Sequence, residues 1–513
     1  MNARKIAKFL LHPGQSLSER AARSGMWLLG TNLTGRMIAL VRSIILARLL
    51  FPEDFGTVGI AYIVMGAMAI FFVTGFNRAL VQKKGNIKDY LDTAWVVQVA
   101  KGVVLGLIVF GVAPLAASFY ENPSILPITR VIAISCIFDG FRNIGLVYFT
   151  KELDFRKLFI YESCSILADV VVSVVAAFIM RNAWAIVFGS LAANLVKLIS
   201  SYVLHPYRPR FHFQMARARE LFTFGKWIYA STLVVFLSTQ ADSAFLGKIL
   251  GITALGFYQL AYSYAGIPGR VFGIIQRVAF PTYSKVQDNK QVLRDAYLKI
   301  LRLVSCLTIP VAAGIALVAP GFTQIILGDK WMPMVPALQI LSIILMIKTT
   351  TDTCAALFNA KGRPDLNFKM VLLRVVSLAA LVYPLTRLWE MEGTALAVGL
   401  SVVISATIWV WGTVKLGVLR PVDFYKNLVP PVLGTAIMAG VIYALGLAIN
   451  QLEPAGFVIS IIVGIIVYFG FVYLTRNLLG YAFFNDVRDI FNALKLGTSS
   501  KPDTEGAPYD TSY

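Results

Sequence analysis

Charged residues are scarce in this sequence, and so are the side chains that most metal and catalytic centres use. Asp, Glu, Lys and Arg make up 14% of the 513 residues, whereas an ordinary soluble domain has about a quarter. The three histidines lie in basic segments, and the four cysteines lie in apolar stretches without metal-site spacing. These shortages argue against a water-exposed globular surface, a metal centre and a bound cofactor. The G-x-x-x-x-G-K-[ST] motif is also missing, which excludes an ATP-driven exporter within this chain.

Apolar residues instead make up 57% of the chain and gather in long runs. About fourteen runs hold roughly twenty or more mostly apolar residues, enough to cross about 30 Å of hydrocarbon. The predicted spans are 25–49, 57–80, 91–119, 125–149, 158–180, 183–204, 221–247, 253–282, 296–319, 334–359, 368–388, 393–415, 428–449 and 456–479. The sequence therefore predicts an all-α polytopic membrane protein, because helices satisfy their own backbone groups in lipid.

The loops between the predicted spans alternate in charge. Every second loop is basic, and the intervening loops, such as FPEDFG and SFYENPS, are short and often acidic. Under the positive-inside rule, this pattern places both termini in the cytoplasm. It also accounts for the net charge of +20 without a nucleic-acid partner.

The two ends of the chain predict surface segments. Residues 1–24 form a cytoplasmic amphipathic segment, whose apolar run is too short for a signal peptide. Apolar residues at helical spacing predict an amphipathic surface helix over 480–497. The polar tail, 498–513, is predicted to be disordered.

Two stretches that lie 200 positions apart match without a gap. Residues 25–66 and 225–266 share ten identities, including Trp27 with Trp227 and Gly56 with Gly256. An ungapped repeat predicts two pseudo-symmetric six-helix lobes of the same orientation. Transporters built from such parallel repeats place the substrate path between the halves.

The repeat also divides the chain into units. The N-lobe covers 25–204 with spans 1–6, a cytoplasmic linker covers 205–220, and the C-lobe covers 221–415 with spans 7–12. Spans 13 and 14, residues 428–479, lie outside the repeat. This C-terminal pair either guards the mouth of a cavity or simply packs against the lobes.

Ionisable side chains inside spans cost about 2.5–3.5 kcal/mol each at the bilayer centre, so they should face a cavity or each other. Arg36 lies about halfway along span 1, on one helix face with Asn32. Span 8 carries a polar stripe that includes Gln259, Arg270 and Arg277. A glycine-lined helix seam is the alternative interpretation of the stripe. The arginines favour a cavity that binds an anion such as phosphate or pyrophosphate.

Arg42 and Asp242 occupy equivalent positions of the repeat. They predict an ion pair between the lobes, which would act either as a gate or as a structural clamp. Both are also cavity candidates, as is Lys101 in span 3. The charges interpreted mainly as structural are Asp139 and Arg142 in span 4, which would pair with Glu162 and Asp169 in span 5, and Lys348 and Asp352 in span 10, which can pair with each other.

Residues 43–62, SIILARLLFPEDFGTVGIAY, resemble the start of the bacterial polysaccharide transporter family. This family contains the Wzx-like O-antigen and exopolysaccharide flippases of the multidrug/oligosaccharidyl-lipid/polysaccharide superfamily. Residues 240–284 are similar to the colanic-acid-type exporters within it. The matching positions are Asp242, Leu246-Gly247, Leu255-Gly256, Tyr258, Pro268 and Phe280-Pro281.

The resemblance implies fourteen helices in two lobes that work by alternating access in the bacterial inner membrane. The implied cargo is an undecaprenyl-pyrophosphate-linked oligosaccharide for exopolysaccharide, capsule or O-antigen synthesis. No enzyme activity and no cofactor are implied. The candidate partners are the lipid-linked oligosaccharide, a coupling ion (H⁺ or Na⁺), and a polysaccharide polymerase with its co-polymerase.

Three other functions are alternatives. A multidrug exporter of the same superfamily needs acidic cavity residues, whereas the central charge excess here is basic. A peptidoglycan-precursor exporter has the same chemistry and differs only in the glycolipid that it moves. A membrane sugar polymerase or ligase usually needs a long outer loop with catalytic groups, and no outer loop here is long.

Overall fold

The structure is a computed structural model that describes residues 17–73, 75–83, 85–152, 154–475, 481 and 483–488. Side chains are outside this description at 17–29, 31–33, 78, 221–231 and parts of 271–278. The helices are α1 (Leu17–Leu49), α2 (Pro52–Ile70), α3 (Phe76–Gln82), α4 (Lys88–Phe119), α5 (Ile125–Gly140), α6 (Val147–Lys151), α7 (Phe155–Met180), α8 (Trp184–Leu204), α9 (Met215–Ile249), α10 (Ile252–Ala265), α11 (Ile267–Lys285), α12 (Lys290–Phe322), α13 (Val335–Thr351), α14 (Thr353–Ala360), α15 (Pro364–Lys415), α16 (Pro421–Ala448) and α17 (Pro454–Leu474).

Long apolar helices dominate the described residues. Nine of them are long and apolar enough to cross a membrane, or ten if one bent pair counts as a span. Their outward faces are apolar: Ile179 and Val203 are each 77% exposed, which suits a hydrocarbon surrounding rather than water. The prediction of an all-helical polytopic membrane protein is thereby confirmed.

Helix α15 contains two of the predicted spans, 368–388 and 393–415. Its backbone is non-helical at Trp389 and Glu390, which separates the two stretches. Helices α16 and α17 pack against each other and against α12. We call α1–α8 the N-half and α9–α15 the C-half.

The two halves meet along α2 and α10, at two glycines that the repeat makes equivalent. A Cβ on Gly56 would overlap the carbonyl oxygen of Ile252, and a Cβ on Gly256 would overlap that of Pro52. Positions 52 and 252 are themselves equivalent, so the contact is reciprocal. The contact joins positions that the repeat makes equivalent, and small residues allow the close approach.

Three predicted spans that were expected to be continuous are broken. Span 2 divides into α2 and α3, where Gly75 adopts a left-handed φ of 68° that favours glycine. Span 4 bends by 66° between α5 and the helical residues from Ile144 onward. Span 8 divides into α10 and α11 at Gly266, next to Pro268 near the start of α11.

The segment after α17 packs on the protein where it is described. Tyr481 and Phe483 are buried among apolar side chains of α12, α16 and α17. The buried Asp486 carboxylate accepts a hydrogen bond from Nε of Arg302 at 2.7 Å. Residues 1–16, the rest of the predicted surface helix and the tail lie outside the described residues.

Candidate functional site

A cavity of about 730 Å³ lies in the N-half, where spans 2 and 4 are broken. The residues on both sides of these breaks form part of its wall, and Thr232 of α9 adds a contribution from the C-half. Its lining includes Asn77, Gln82, Gln98, Lys101, Asp139, Arg142, Asn143 and Thr150. Irregular backbone at membrane depth is tolerated where it lines a cavity, and broken helices of transporters commonly form substrate sites.

Polar side chains satisfy the backbone groups that the break in span 4 releases. Nε2 of Gln98 lies 3.1, 3.2 and 3.1 Å from the carbonyl oxygens of Asp139, Gly140 and Arg142. The hydroxyl of Tyr202 donates to the carbonyl of Phe141 at 2.8 Å. An unsatisfied carbonyl away from water costs free energy, so these hydrogen bonds stabilise the break in span 4.

The cavity wall carries three charges. Arg142 pairs with Asp139, with Nη1 and Oδ1 2.7 Å apart, and its Nη2 donates to Oδ1 of Asn194 at 2.8 Å. Lys101 makes no ion pair or hydrogen bond within the part of the chain that the structure describes. Lys101 is therefore a cavity residue, and the pair Asp139–Arg142 is at once a structural pair and part of the wall.

Arg36 on α1 and Arg270 on α11 come from different halves, and their charges are near enough to repel each other. Arg36 is half-buried, whereas Arg270 is exposed. The guanidinium of Arg270 also donates to the carbonyl of Ser263, across the break between α10 and α11. Two guanidinium groups that repel each other from two halves form an arrangement suited to an anion.

Arg42 and Asp242 do not form the predicted pair. Nη2 of Arg42 lies 2.8 Å from Oδ1 of Asp169, and its Nε donates to Ser173 at 3.0 Å. Asp242 is only 2% exposed and accepts a hydrogen bond from the hydroxyl of Tyr258 at 2.7 Å. Each charge finds a partner within its own half because α1 packs on α7 and α9 adjoins α10.

The other candidates have different surroundings. Gln259 packs its amide against Gly59 at the α2–α10 contact, as the helix-seam interpretation of that stretch proposed. Nζ of Lys197 lies 3.0 Å from Oε2 of Glu162, and Nζ of Lys348 lies 3.0 Å from Oδ2 of Asp352. The side chains of Asn32 and Arg277 lie outside the described residues.

A closed contact joins the halves at the end that carries the acidic loops, which we call the acidic-loop end. Trp331, in the helical turn Asp329–Met334, is fully buried, and its Nε1 donates to the carbonyl of Ala47 at 2.7 Å. Nζ of Lys330 donates to the carbonyls of Arg48 and Leu50 at 2.8 and 2.7 Å. These donors satisfy the last carbonyls of α1, where the helix dipole favours a cation.

The same end holds an exposed ion pair between Lys248 and Glu121, with Nζ and Oε1 2.7 Å apart. The hydrogen bond from Lys248 lowers the pKa of the Glu121 carboxyl below its usual value. An exposed pair contributes little on its own. We therefore expect the buried Trp331, which sequence reasoning missed, to contribute more to closure of this end than the Lys248–Glu121 pair.

The model of the family described as polysaccharide biosynthesis protein matches residues 45–336, more than half of the chain. The chain belongs to this family. The resemblance noted for residues 43–62 and 240–284 is thereby confirmed.

Relatives and a solved structure agree with membership of the polysaccharide biosynthesis protein family. The chain is 27% identical to the lipopolysaccharide biosynthesis protein WzxC of Escherichia coli K12, over 69% of this chain and 73% of that protein. It is 23% identical to the succinoglycan biosynthesis transport protein ExoT of Rhizobium meliloti, over 65% and 68%. The structure of the lipid II flippase MurJ in an inward closed conformation matches with a TM-score of 0.71 and 15% identity, over 88% of this chain and 99% of that chain. The family member described here is therefore a transporter of the MurJ-like fold and not an enzyme.

Replacing Trp331 with alanine should weaken the closed acidic-loop end of this family member. Removing a buried Trp side chain costs about 3–5 kcal/mol of stability. We expect enough of this cost to fall on the closed state to lower its population, relative to the open state, about tenfold or more. The reporter is the pair Glu121→Cys/Lys248→Cys, cross-linked by a short bifunctional reagent in a background without native cysteines.

Trp411→Ala is the matched control, because Trp411 is 60% exposed on α15. We expect slower cross-linking in Trp331→Ala and an unchanged rate in the control. Equal rates in the parent and Trp331→Ala would show that Trp331 does not hold this end closed.

Proposed function

We propose that this protein translocates an undecaprenyl-pyrophosphate-linked oligosaccharide across the bacterial cytoplasmic membrane by alternating access. The product would serve the synthesis of exopolysaccharide, capsule or O-antigen. The match to the polysaccharide biosynthesis protein family over residues 45–336 carries this proposal. The named relatives support it, since one serves lipopolysaccharide and another succinoglycan synthesis. The candidate partners remain a coupling ion, H⁺ or Na⁺, and a polysaccharide polymerase with its co-polymerase.

The pyrophosphate head group is the part of the cargo that Arg36 and Arg270 would bind. A guanidinium binds phosphate oxygens bidentately and stays charged when it loses water. The two arginines belong to different halves, so an anion between them would offset their mutual repulsion. Arg270 would then exchange its contact with the Ser263 carbonyl for the ligand.

A deletion strain tests the function itself. Without the gene, we expect loss of a surface polysaccharide and accumulation of its lipid-linked oligosaccharide in the cytoplasmic leaflet. Restoration of both by the plasmid-borne gene is the control. Accumulation of the peptidoglycan precursor instead would favour the alternative cargo, and normal surface glycans with no accumulating lipid would reject the proposal.

We also propose fourteen crossings, formed by two six-helix lobes and a C-terminal pair, with both termini in the cytoplasm. The support is that every predicted span overlaps one helix, or two helices on either side of a break, in the described residues and that the loops alternate in charge. The acidic-loop end would then face the outside, and the structure would represent a state closed to the outside.

Cysteine labelling checks this orientation. In a background without Cys136, Cys164, Cys306 and Cys354, we expect Ser124→Cys and Pro454→Cys to react with a membrane-impermeant maleimide from outside. Lys84→Cys and Arg210→Cys should react only after the membrane is opened. Labelling of the latter two in intact cells would invert the topology.

A further inference from the structure

Lys101 gives the cavity in the N-half a positive charge that no carboxylate of the described residues neutralises. Asp139 is paired with Arg142, whereas Lys101 makes no ion pair within the described residues. Lys101 lies about 20 Å along α4 from its first residue, at about 1.5 Å per residue, which places it deep in the predicted span. A charge at that depth is costly, so it is expected to serve a ligand or a pathway.

The rest of the lining suits a sugar. Asn77, Gln82, Thr150 and Thr232 bring amides and hydroxyls to the wall, and these groups can both donate and accept hydrogen bonds. Apolar residues such as Phe76 and Val147 complete the wall. A pocket that combines apolar surface with polar groups at fixed positions is typical of a site for a small organic ligand.

The kind of cation also matters. Arg36 and Arg270, which suit the forked oxygens of a pyrophosphate, are not part of the cavity wall. Lysine is a compact point charge on a flexible stem, which can pair with a single carboxylate and offers no fork for two oxygens. Asp139, the carboxylate in the cavity wall, is already engaged by Arg142.

We infer that this cavity is the glycan subsite and that Lys101 binds the carboxylate of an acidic sugar. The cargo is then an acidic oligosaccharide, for example one that contains a uronic acid. This inference rests on the proposed function and narrows its substrate class. It makes Lys101 a specificity residue that distinguishes acidic from neutral glycans.

The test compares two probes in proteoliposomes that contain the full chain. Both are undecaprenyl-pyrophosphate-linked trisaccharides, one ending in glucuronic acid and the other in glucose. The parent should move the acidic probe about tenfold faster or more, the usual value of a charge-assisted hydrogen bond. Lys101→Gln should remove this preference and keep transport of the neutral probe, whereas Lys101→Arg should keep most of the preference.

Lys415→Gln is the control variant, since Lys415 lies at the end of α15 against the ring of Trp411 and away from the cavity. It should behave like the parent. A parent without preference overturns the inference, and so does a Lys101→Gln variant that slows both probes equally, because Lys101 would then act on the shared pyrophosphate or on the fold. A parent that moves neither probe rejects the proposed function itself.

Discussion

Gly256→Val is expected to open the acidic-loop end and to reduce transport strongly. Gly256 lies against the carbonyl of Pro52 at the junction of the two halves, where no flexible side chain can move aside. Overpacking of this kind costs about 1–3 kcal/mol. If the cost falls on the closed state alone, its population relative to the open state drops about 5- to 150-fold. The Glu121→Cys/Lys248→Cys reporter measures the change as a slower cross-linking rate.

The repeat predicts a similar effect at the equivalent glycine. Because Gly56 makes the equivalent contact with Ile252, Gly56→Val should have a similar effect. The control is Gly111→Val, since a Cβ at Gly111 would meet no other atom within 4 Å. Unchanged cross-linking in both variants would mean that the reciprocal contact can relax without separating the halves.

Arg36→Gln and Arg270→Gln are each expected to weaken binding of a pyrophosphate-linked lipid by about thirtyfold or more. Truncating one partner of a desolvated charge contact costs about 2–5 kcal/mol. Lysine at either position should keep part of the affinity, because it keeps the charge and loses the bidentate geometry. The measurement is lipid binding by purified variants, together with surface polysaccharide normalised to the amount of protein in the membrane.

Arg130→Gln is the matched control, because Arg130 lies over the ring of Phe110 at 4.6 Å and takes no part in the proposed site. It should bind the lipid like the parent. If Arg36→Gln and Arg270→Gln are stably inserted and also bind like the parent, the two arginines are structural and the proposed head-group site is wrong.

The repeat was the most informative feature of the sequence. It matched Gly56 with Gly256, and the structure brings these two glycines to the junction of the halves. Hydropathy located the helical segments because each apolar run must be about as long as the bilayer is thick. Hydropathy is averaged over a window of about twenty residues, and a short interruption barely changes that average. The breaks in spans 2, 4 and 8 were therefore not predicted.

Charge partners were harder to predict than helices. Helical spacing shows which residues share a face, but it does not show which helices are neighbours. Arg42 was therefore assigned to Asp242, whereas α1 packs on α7 and brings it to Asp169. Trp331 gave no periodic signal, because its role depends on carbonyls of α1 that are distant in sequence.

The most direct measurement of the central claim is transbilayer movement of a labelled undecaprenyl-pyrophosphate-linked oligosaccharide in proteoliposomes. The lipid starts in one leaflet, and an impermeant enzyme that cleaves the glycan reports how much becomes accessible on the other side. We predict movement that scales with the amount of parent protein and falls strongly with Arg36→Gln. Movement no faster than in protein-free vesicles would contradict the account, provided that the Glu121→Cys/Lys248→Cys reporter still cross-links in the parent and so shows that the protein is folded.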